Sequence, residues 1–311
     1  MSLATFDLAA FERAKGDMRE QAAAELDQIC RETGFLVLTG HGVSTDTIDG
    51  VWEAVNGFFA QDVLKKADVA PHFAGSPYGW IGPLKEALAA SKGVETPPDL
   101  KESFNGGPLV VPPDASQAAL DFCYQPTPYP ELDGFKPAWD AYYAEMEALA
   151  ARIMVAFAAA LRLPDQFFSP HIKHPISALR ALNYPATGEV AEADQQRAGA
   201  HTDYGTLTIL LPQAGSSGLQ VQRNGEWIDV PAPEGAFVIN IGDLMARWTN
   251  DAWVSTLHRV VAKPNQKARK SLAYFHQPDW DVVIEPLDGS TGYDPVKSGP
   301  YLMQKFQSTG T

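Results

Sequence analysis

Beyond Ser177 the chain breaks into short apolar segments separated by turn residues, and this texture constrains the fold most, because helices need longer periodic runs. The segments that read as strands are 178–184, 206–211, 219–223, 226–230, 237–241, 255–261, 271–277 and 282–285. Asn224-Gly225 between two of them is a strong type I′ hairpin signal. About eight strands with no helices between them favour a double-sheet jelly roll over a Rossmann-type sheet.

The amino-terminal half has a different pattern. Residues 18–32 place Ala22, Leu26 and Ile29 at helical spacing, and Gly34 ends that predicted helix. Phe35 to Leu38 reads as a short buried strand stopped by Gly40-His41-Gly42. A second predicted helix runs over 45–66, with Ile48, Val51, Val55, Phe58 and Phe59 on one face. Residues 70–131 are rich in Gly and Pro, read as covering loops, and include a short helical stretch over 84–91. A long Ala-rich helix is predicted over 137–162, repeating apolar positions from Tyr143 to Leu161, with Pro164 beyond it. That helix is expected to back a sheet. The expected class is mainly β with flanking helices, divided into an amino-terminal region over 1–125 and a backing helix with jelly-roll core over 126–311. The two are expected to form one compact unit.

A chain of 311 residues with 45% hydrophobic content can bury a large core. Lys and Arg number 24 against 38 Asp and Glu, so the formal net charge of -14 repels a nucleic-acid backbone, and no basic run offsets it. Cys30 and Cys123 are too few for a disulfide framework and sit in no metal-ligand spacing, which makes the reducing cytoplasm the expected compartment. The start, MSLATFDLAAFERAKG, lacks a basic segment followed by an apolar one, so no signal peptide is expected. The apolar stretch 153–161 is too short to span a bilayer and reads as a buried helix segment. No membrane association and no protein partner are expected.

Within the β-rich half, His201-Thr202-Asp203 places a histidine and a carboxylate at i and i+2, which face one way on an extended segment and can hold one metal. Alone, such a pair is weak evidence, since His and Asp together are more commonly a turn or a hydrogen-bonded couple. His258 offers a third ligand, and Arg269-Lys270-Ser271 repeats the i, i+2 phasing. Two histidines and one carboxylate suit non-haem Fe(II), because three protein ligands leave positions open for a co-substrate and dioxygen. The Arg/Ser pair is then placed to hold a carboxylate that reaches the iron.

The stretch from Gly199 to Pro212, GAHTDYGTLTILLP, then GLQVQRNGEWIDVPAPEGAFVINIGDLMARWTND and STLHRVV, resembles the Fe(II)/2-oxoglutarate-dependent dioxygenases of the isopenicillin N synthase-like superfamily. ICRETGFLVLTGHGV and DLKESFNGG are similar to the amino-terminal region of that family, so the resemblance covers most of the chain. It implies a distorted double-stranded β-helix with His201, Asp203 and His258 as iron ligands. It also implies that Arg269 and Ser271 bind the distal carboxylate of 2-oxoglutarate, where bidentate guanidinium pairing gives a physical reason for arginine. Tyr184, in Leu-Asn-Tyr-Pro, matches a tyrosine that contacts the same carboxylate, although the sequence has one tyrosine fewer than the Asn-Tyr-Tyr-Pro pattern. For Tyr184 and Asn183, strand-end packing is an equally good account.

The implied reaction consumes 2-oxoglutarate and dioxygen, releases succinate and carbon dioxide, and hydroxylates, desaturates or ring-closes a small molecule. Strand phasing sends Arg269, Ser271, Ala273 and Phe275 inward, which makes Phe275 a candidate pocket wall and turns His276 away. Tyr204, Phe104 and Trp80 are further candidates for substrate contact. Trp248 and Asn250 read as structural support near the site, and His41, His72, His171 and His174 as structural or exposed. Three other readings stand beside this one. An oxidase of the same superfamily would use iron without 2-oxoglutarate, a jelly-roll binding protein would have no turnover, and a structural zinc site would need a fourth ligand that the sequence does not show.

Overall fold

A computed structural model describes residues 3–73, 75–93, 97–188, 196–231 and 234–309. Its core is a double-stranded β-helix, or jelly roll, made of two facing sheets. The larger sheet has the order Ala4–Asp7, Phe35–Thr39, Phe237–Ile241, Leu207–Pro212, Arg269–His276, Ala178–Tyr184, Glu102–Gly106 and Gly79–Ile81. The smaller has the order Gln196–His201, His258–Val261, Leu219–Arg223 and Glu226–Asp229. Asn224 and Gly225, both at positive φ, close the hairpin between the last two strands.

The two faces of the larger sheet carry different apolar sets, as period-2 alternation requires. One face gives Phe35, Leu182, Val238 and Ala273 to a cluster completed by Ala198, Leu219, Val221 and Val260 of the smaller sheet. The other gives Leu36, Phe104, Ile209, Ile239 and Tyr274 to a cluster shared with the helix Phe135–Ala160. That 26-residue helix is apolar nearly all round because it is sandwiched, with the sheet on one side and the helices Asp17–Glu32 and Thr45–Phe59 on the other. Among the described residues no helix is long and apolar enough to cross a membrane.

Several boundaries differ from the sequence pattern, each for a local reason. The helix expected over 45–66 is two, Thr45–Phe59 and Val63–Ala67, because Asp62 takes the extended cap conformation that starts a new helix. Gly34 does end the first long helix. At φ +59 it lies where a Cβ would stand 2.0 Å from the Val254 carbonyl oxygen, so only glycine fits. The strands are not free of intervening helices, since Asp243–Trp248 follows Phe237–Ile241 and Ser298–Thr309 closes the chain. The predicted helical stretch over 84–91 is a 3-10 turn at Leu88–Lys92.

Candidate active site

His258 opens the strand His258–Val261 and is paired in register with His201, the last residue of Gln196–His201. That pairing brings the two imidazole centroids to 4.3 Å, and Asp203 follows just beyond the end of the strand. The Nε2 atoms of His201 and His258 lie 3.8 and 3.7 Å from Asp203 Oδ1. One ligand atom from each of the three residues falls within 4.8 Å of the others.

Hydrogen bonding fixes how each group presents itself. His201 Nδ1 lies 2.7 Å from the Gly199 carbonyl oxygen and His258 Nδ1 lies 3.1 Å from that of Thr256. A carbonyl only accepts, so both Nδ1 atoms carry hydrogen, which leaves the two Nε2 atoms as the ones available to a metal. Burial, reinforced by His258, lowers the pKa of His201 and keeps it neutral. Burial alone would raise the pKa of Asp203, but the two imidazoles, Thr208 and Asn240 outweigh it and hold the carboxylate ionised. Its Oδ2 accepts from Thr208 Oγ1 at 2.5 Å and Asn240 Nδ2 at 2.8 Å, which leaves Oδ1 facing the imidazoles. Two imidazole nitrogens and one carboxylate oxygen converging in a buried site, with their outer atoms already satisfied, fit Fe(II) with positions left open.

The triad opens into a cavity of about 180 Å³ between the sheets. Arg269, Ser271, Ala273 and Phe275 reach it from one strand, and Tyr184, in register with Arg269, reaches it from the next. Arg269 is 3% exposed, and among the described residues its Nε has no hydrogen-bond partner. Its contacts are a 3.5 Å hydrogen bond from Nη1 to the Ser217 carbonyl and the Tyr184 ring, 5.0 Å below the guanidinium. Burial lowers its pKa from the ordinary arginine value without making it neutral at pH 7. A buried cation without an acid partner is poised for an anion. A dicarboxylate that reaches from Arg269 and Ser271 to the triad supplies one.

Tyr204 also lines the cavity, but Phe104 and Trp80 do not. Phe104 faces the helical side, packed against Phe58, Phe135 and Trp139, because its strand registers Phe104 with Ala181 and Asn105 with Arg180. Trp80 is its cross-strand partner and donates from Nε1 to Glu102. Asn183 turns from the cavity and donates to Glu102 Oε1. Trp248 packs on Phe168 and His171, while Asn250 sits at φ +51 and donates to Asp288. Neither lines the cavity. Sequence reasoning missed Thr208, Asn240, Asn105 and Arg180, all of which line it. It also missed Asp99, whose Oδ1 accepts from the Gly199 backbone and ties the covering segment to the strand that carries His201.

His276 is turned from the cavity, as phasing requires, and is buried with Nδ1 2.6 Å from Thr206 Oγ1. Burial pushes its pKa down to about 3. The unfolded chain therefore takes up this proton first, so the stability that neutral His276 allows is complete above about pH 6.5 and falls toward pH 3. The loss is roughly 1.4 kcal/mol per pH unit inside that window. Denaturant titrations between pH 6.5 and 4.5 should show His276→Phe with a shallower acid slope than the wild type by about that amount. Parallel slopes would mean that His276 is not buried in its neutral form.

Comparison with known proteins gives a consistent result. Residues 176–278 match the 2OG-Fe(II) oxygenase superfamily, and residues 3–131 match the non-haem dioxygenase in morphine synthesis N-terminal family. Validamycin A dioxygenase of Streptomyces hygroscopicus subsp. limoneus is 33% identical over 98% of this chain and 86% of its own. The 2-oxoglutarate-dependent dioxygenase htyE of Aspergillus rugulosus is 31% identical over 92% of this chain and 91% of its own. A full-length protein of Neurospora crassa, solved by crystallography in complex with alpha-KG and thymine, superposes with a TM-score of 0.85 at 29% identity, covering 99% of this chain and 97% of that one. These similarities set aside the binding-protein, structural-zinc and 2-oxoglutarate-independent readings. The chain belongs to the 2OG-Fe(II) oxygenase superfamily and is a 2-oxoglutarate-dependent dioxygenase, an oxidoreductase that uses Fe(II), 2-oxoglutarate and dioxygen.

Proposed function

We propose that His201, Asp203 and His258 hold Fe(II), that Arg269, Ser271 and Tyr184 hold the distal carboxylate of 2-oxoglutarate, and that a small molecule is oxidised in the remaining cavity. For hydroxylation the balance is substrate R–H plus 2-oxoglutarate plus dioxygen giving R–OH, succinate and carbon dioxide. The observation that carries this reading is the uncompensated Arg269 in the same cavity as the triad. Bound iron supplies the redox chemistry. The chain's residues supply everything else. Thr208 and Asn240 hold one oxygen of Asp203 so that the other stays aimed, Gly199 and Thr256 fix the imidazole tautomers, and the apolar walls exclude water.

Phe275 and Tyr204 are walls for the substrate. Residues 1–125 and 126–311 work as one unit, the first lending Phe35–Thr39 and Glu102–Gly106 to the larger sheet and the second carrying the triad. The substrate is small, since the cavity is enclosed by the sheets, and the charge of -14 argues against nucleic acid. Two buried, unpaired cysteines suit the reducing cytoplasm. Adding 2-oxoglutarate to the Fe(II) protein without oxygen should produce a weak visible charge-transfer band, and admitting air should form succinate. No band together with no succinate would overturn the reading.

A further inference from the structure

The cavity continues to a polar end that neither the triad nor the Arg269 site uses. Asn105 and Arg180 face each other across two antiparallel strands, and both side chains line the cavity there. Asn105 is 2% exposed, and neither Oδ1 nor Nδ2 has a hydrogen-bond partner among the described residues. Buried amides with both ends unpaired are rare, because each end forfeits its bonds to water. An amide kept in that condition and turned into a cavity is set for a ligand that brings one donor and one acceptor.

The charges around it decide what kind. Arg180 Nη1 lies 3.3 Å from Glu86, Glu86 lies 3.3 Å from Lys101, and Lys101 lies 2.8 Å from Asp99. All four side chains are buried or nearly so, and two acids balance two bases. An anionic ligand group would leave one buried negative charge uncompensated, and a cationic group one positive charge. A neutral polar group disturbs nothing. It must also present N–H and C=O side by side on one edge, since only that edge meets both atoms of a primary amide in two parallel hydrogen bonds. An open-chain trans amide points the two groups in opposite directions. A primary amide, a urea or a ring amide holds them side by side, and of these the ring also offers a flat face to aromatic walls. Phe275, Tyr204 and Phe122 line the same cavity and offer aromatic surface to such a ring.

We propose that Asn105, with Arg180 beside it, is the specificity-determining site for a neutral ring substrate carrying a cis-amide edge, as in a lactam, a cyclic imide or a ureide. This rests on the reading that the cavity is the substrate site of the dioxygenase. Asn105 donates from Nδ2 to the ring carbonyl and accepts the ring N–H at Oδ1. Arg180 has N–H groups beyond the one engaged by Glu86 to meet a further carbonyl oxygen.

The test is calorimetric titration of the Mn(II)- and 2-oxoglutarate-loaded protein with uracil, 2-piperidone, benzoate and toluene, which needs no turnover. Uracil and 2-piperidone should bind at least about tenfold more tightly than benzoate or toluene. Asn105→Leu should weaken uracil about 30-fold, and the isosteric Asn105→Asp, which loses both donors, should weaken it at least as much. Because Asn105 has no partner to lose, the ligand-free melting temperature of Asn105→Leu should stay level or rise. Benzoate binding as tightly as uracil, no binding by either ring amide, uracil affinity within twofold in both variants, or a melting temperature lowered by several degrees would each overturn the proposal. Succinate formation by the Fe(II) enzyme in air, measured without these probes, reports separately on the underlying reading.

Discussion

Asp203→Ala is expected to abolish iron retention and to lower succinate formation by at least about a thousandfold, since losing a charged ligand removes several kcal/mol from the metal site. Asp203 brings the only carboxylate in the triad, and its two partners are imidazoles, which carry no negative charge to a metal. Without it, a divalent ion would meet two nitrogen ligands with no charge compensation. The effect should not reflect unfolding. Thr208 and Asn240, the donors to Oδ2, would share a small cavity that water can enter, so the melting temperature of the metal-free variant should change by only a few degrees. Thr208→Val separates ligation from support, because it keeps the carboxylate and removes one of its two donors. It should weaken iron binding about 10- to 100-fold. Iron content after desalting and succinate yield check both variants. Asp203→Ala that keeps its iron and stays within tenfold of wild-type turnover would remove Asp203 from the metal site.

What was legible in the chain followed the regularity of its backbone. Arg269–His276 runs eight residues without a bulge, so simple alternation places Arg269, Ser271, Ala273 and Phe275 on the cavity face and His276 behind. His201 is different. Its strand, Gln196–His201, begins Gln-Arg-Ala-Gly and carries no apolar alternation, so the spacing to Asp203 was readable while the strand was not. Phe104, a candidate for substrate contact by sequence, faces the helical side instead, and a Gly- and Pro-rich segment has no pattern of its own to set that phase. The phase comes from pairing with Ala178–Tyr184, a contact between residues far apart in sequence. The same pairing turns Asn105 inward. A lone asparagine in such a segment reads as turn chemistry, and only its burial without a partner gives it another meaning. Asp99 and Glu86 were hidden for a related reason, since acids in loops are ordinarily solvated. Here Lys101 and Arg180 outweigh the burial that would raise the pKa of Glu86, and hold it down at about 2.

Arg269→Met should raise the KM for 2-oxoglutarate by about a hundredfold or more, because a charge-assisted, bidentate carboxylate contact in a buried site contributes roughly 1.5–3 kcal/mol per bond. The variant should also separate this role from a structural one. In the wild type without ligand, the guanidinium is buried and among the described residues its Nε has no partner and it forms no ion pair, so replacing it with an apolar chain of similar length removes a desolvated cation. The ligand-free melting temperature of Arg269→Met should therefore equal or exceed that of the wild type. Adding 2-oxoglutarate at about a hundred times its Kd should stabilise the wild type by about 2.7 kcal/mol, and the same concentration should leave the variant almost unmoved. Arg269→Lys should recover only part of the affinity, since an ammonium on a flexible stem cannot make the paired contact or stack on Tyr184 in the same way. Thermal melts with and without 2-oxoglutarate, run beside initial rates, test all three expectations. A variant that melts several degrees lower and keeps a wild-type KM would make Arg269 a structural residue and move the dicarboxylate site elsewhere in the cavity.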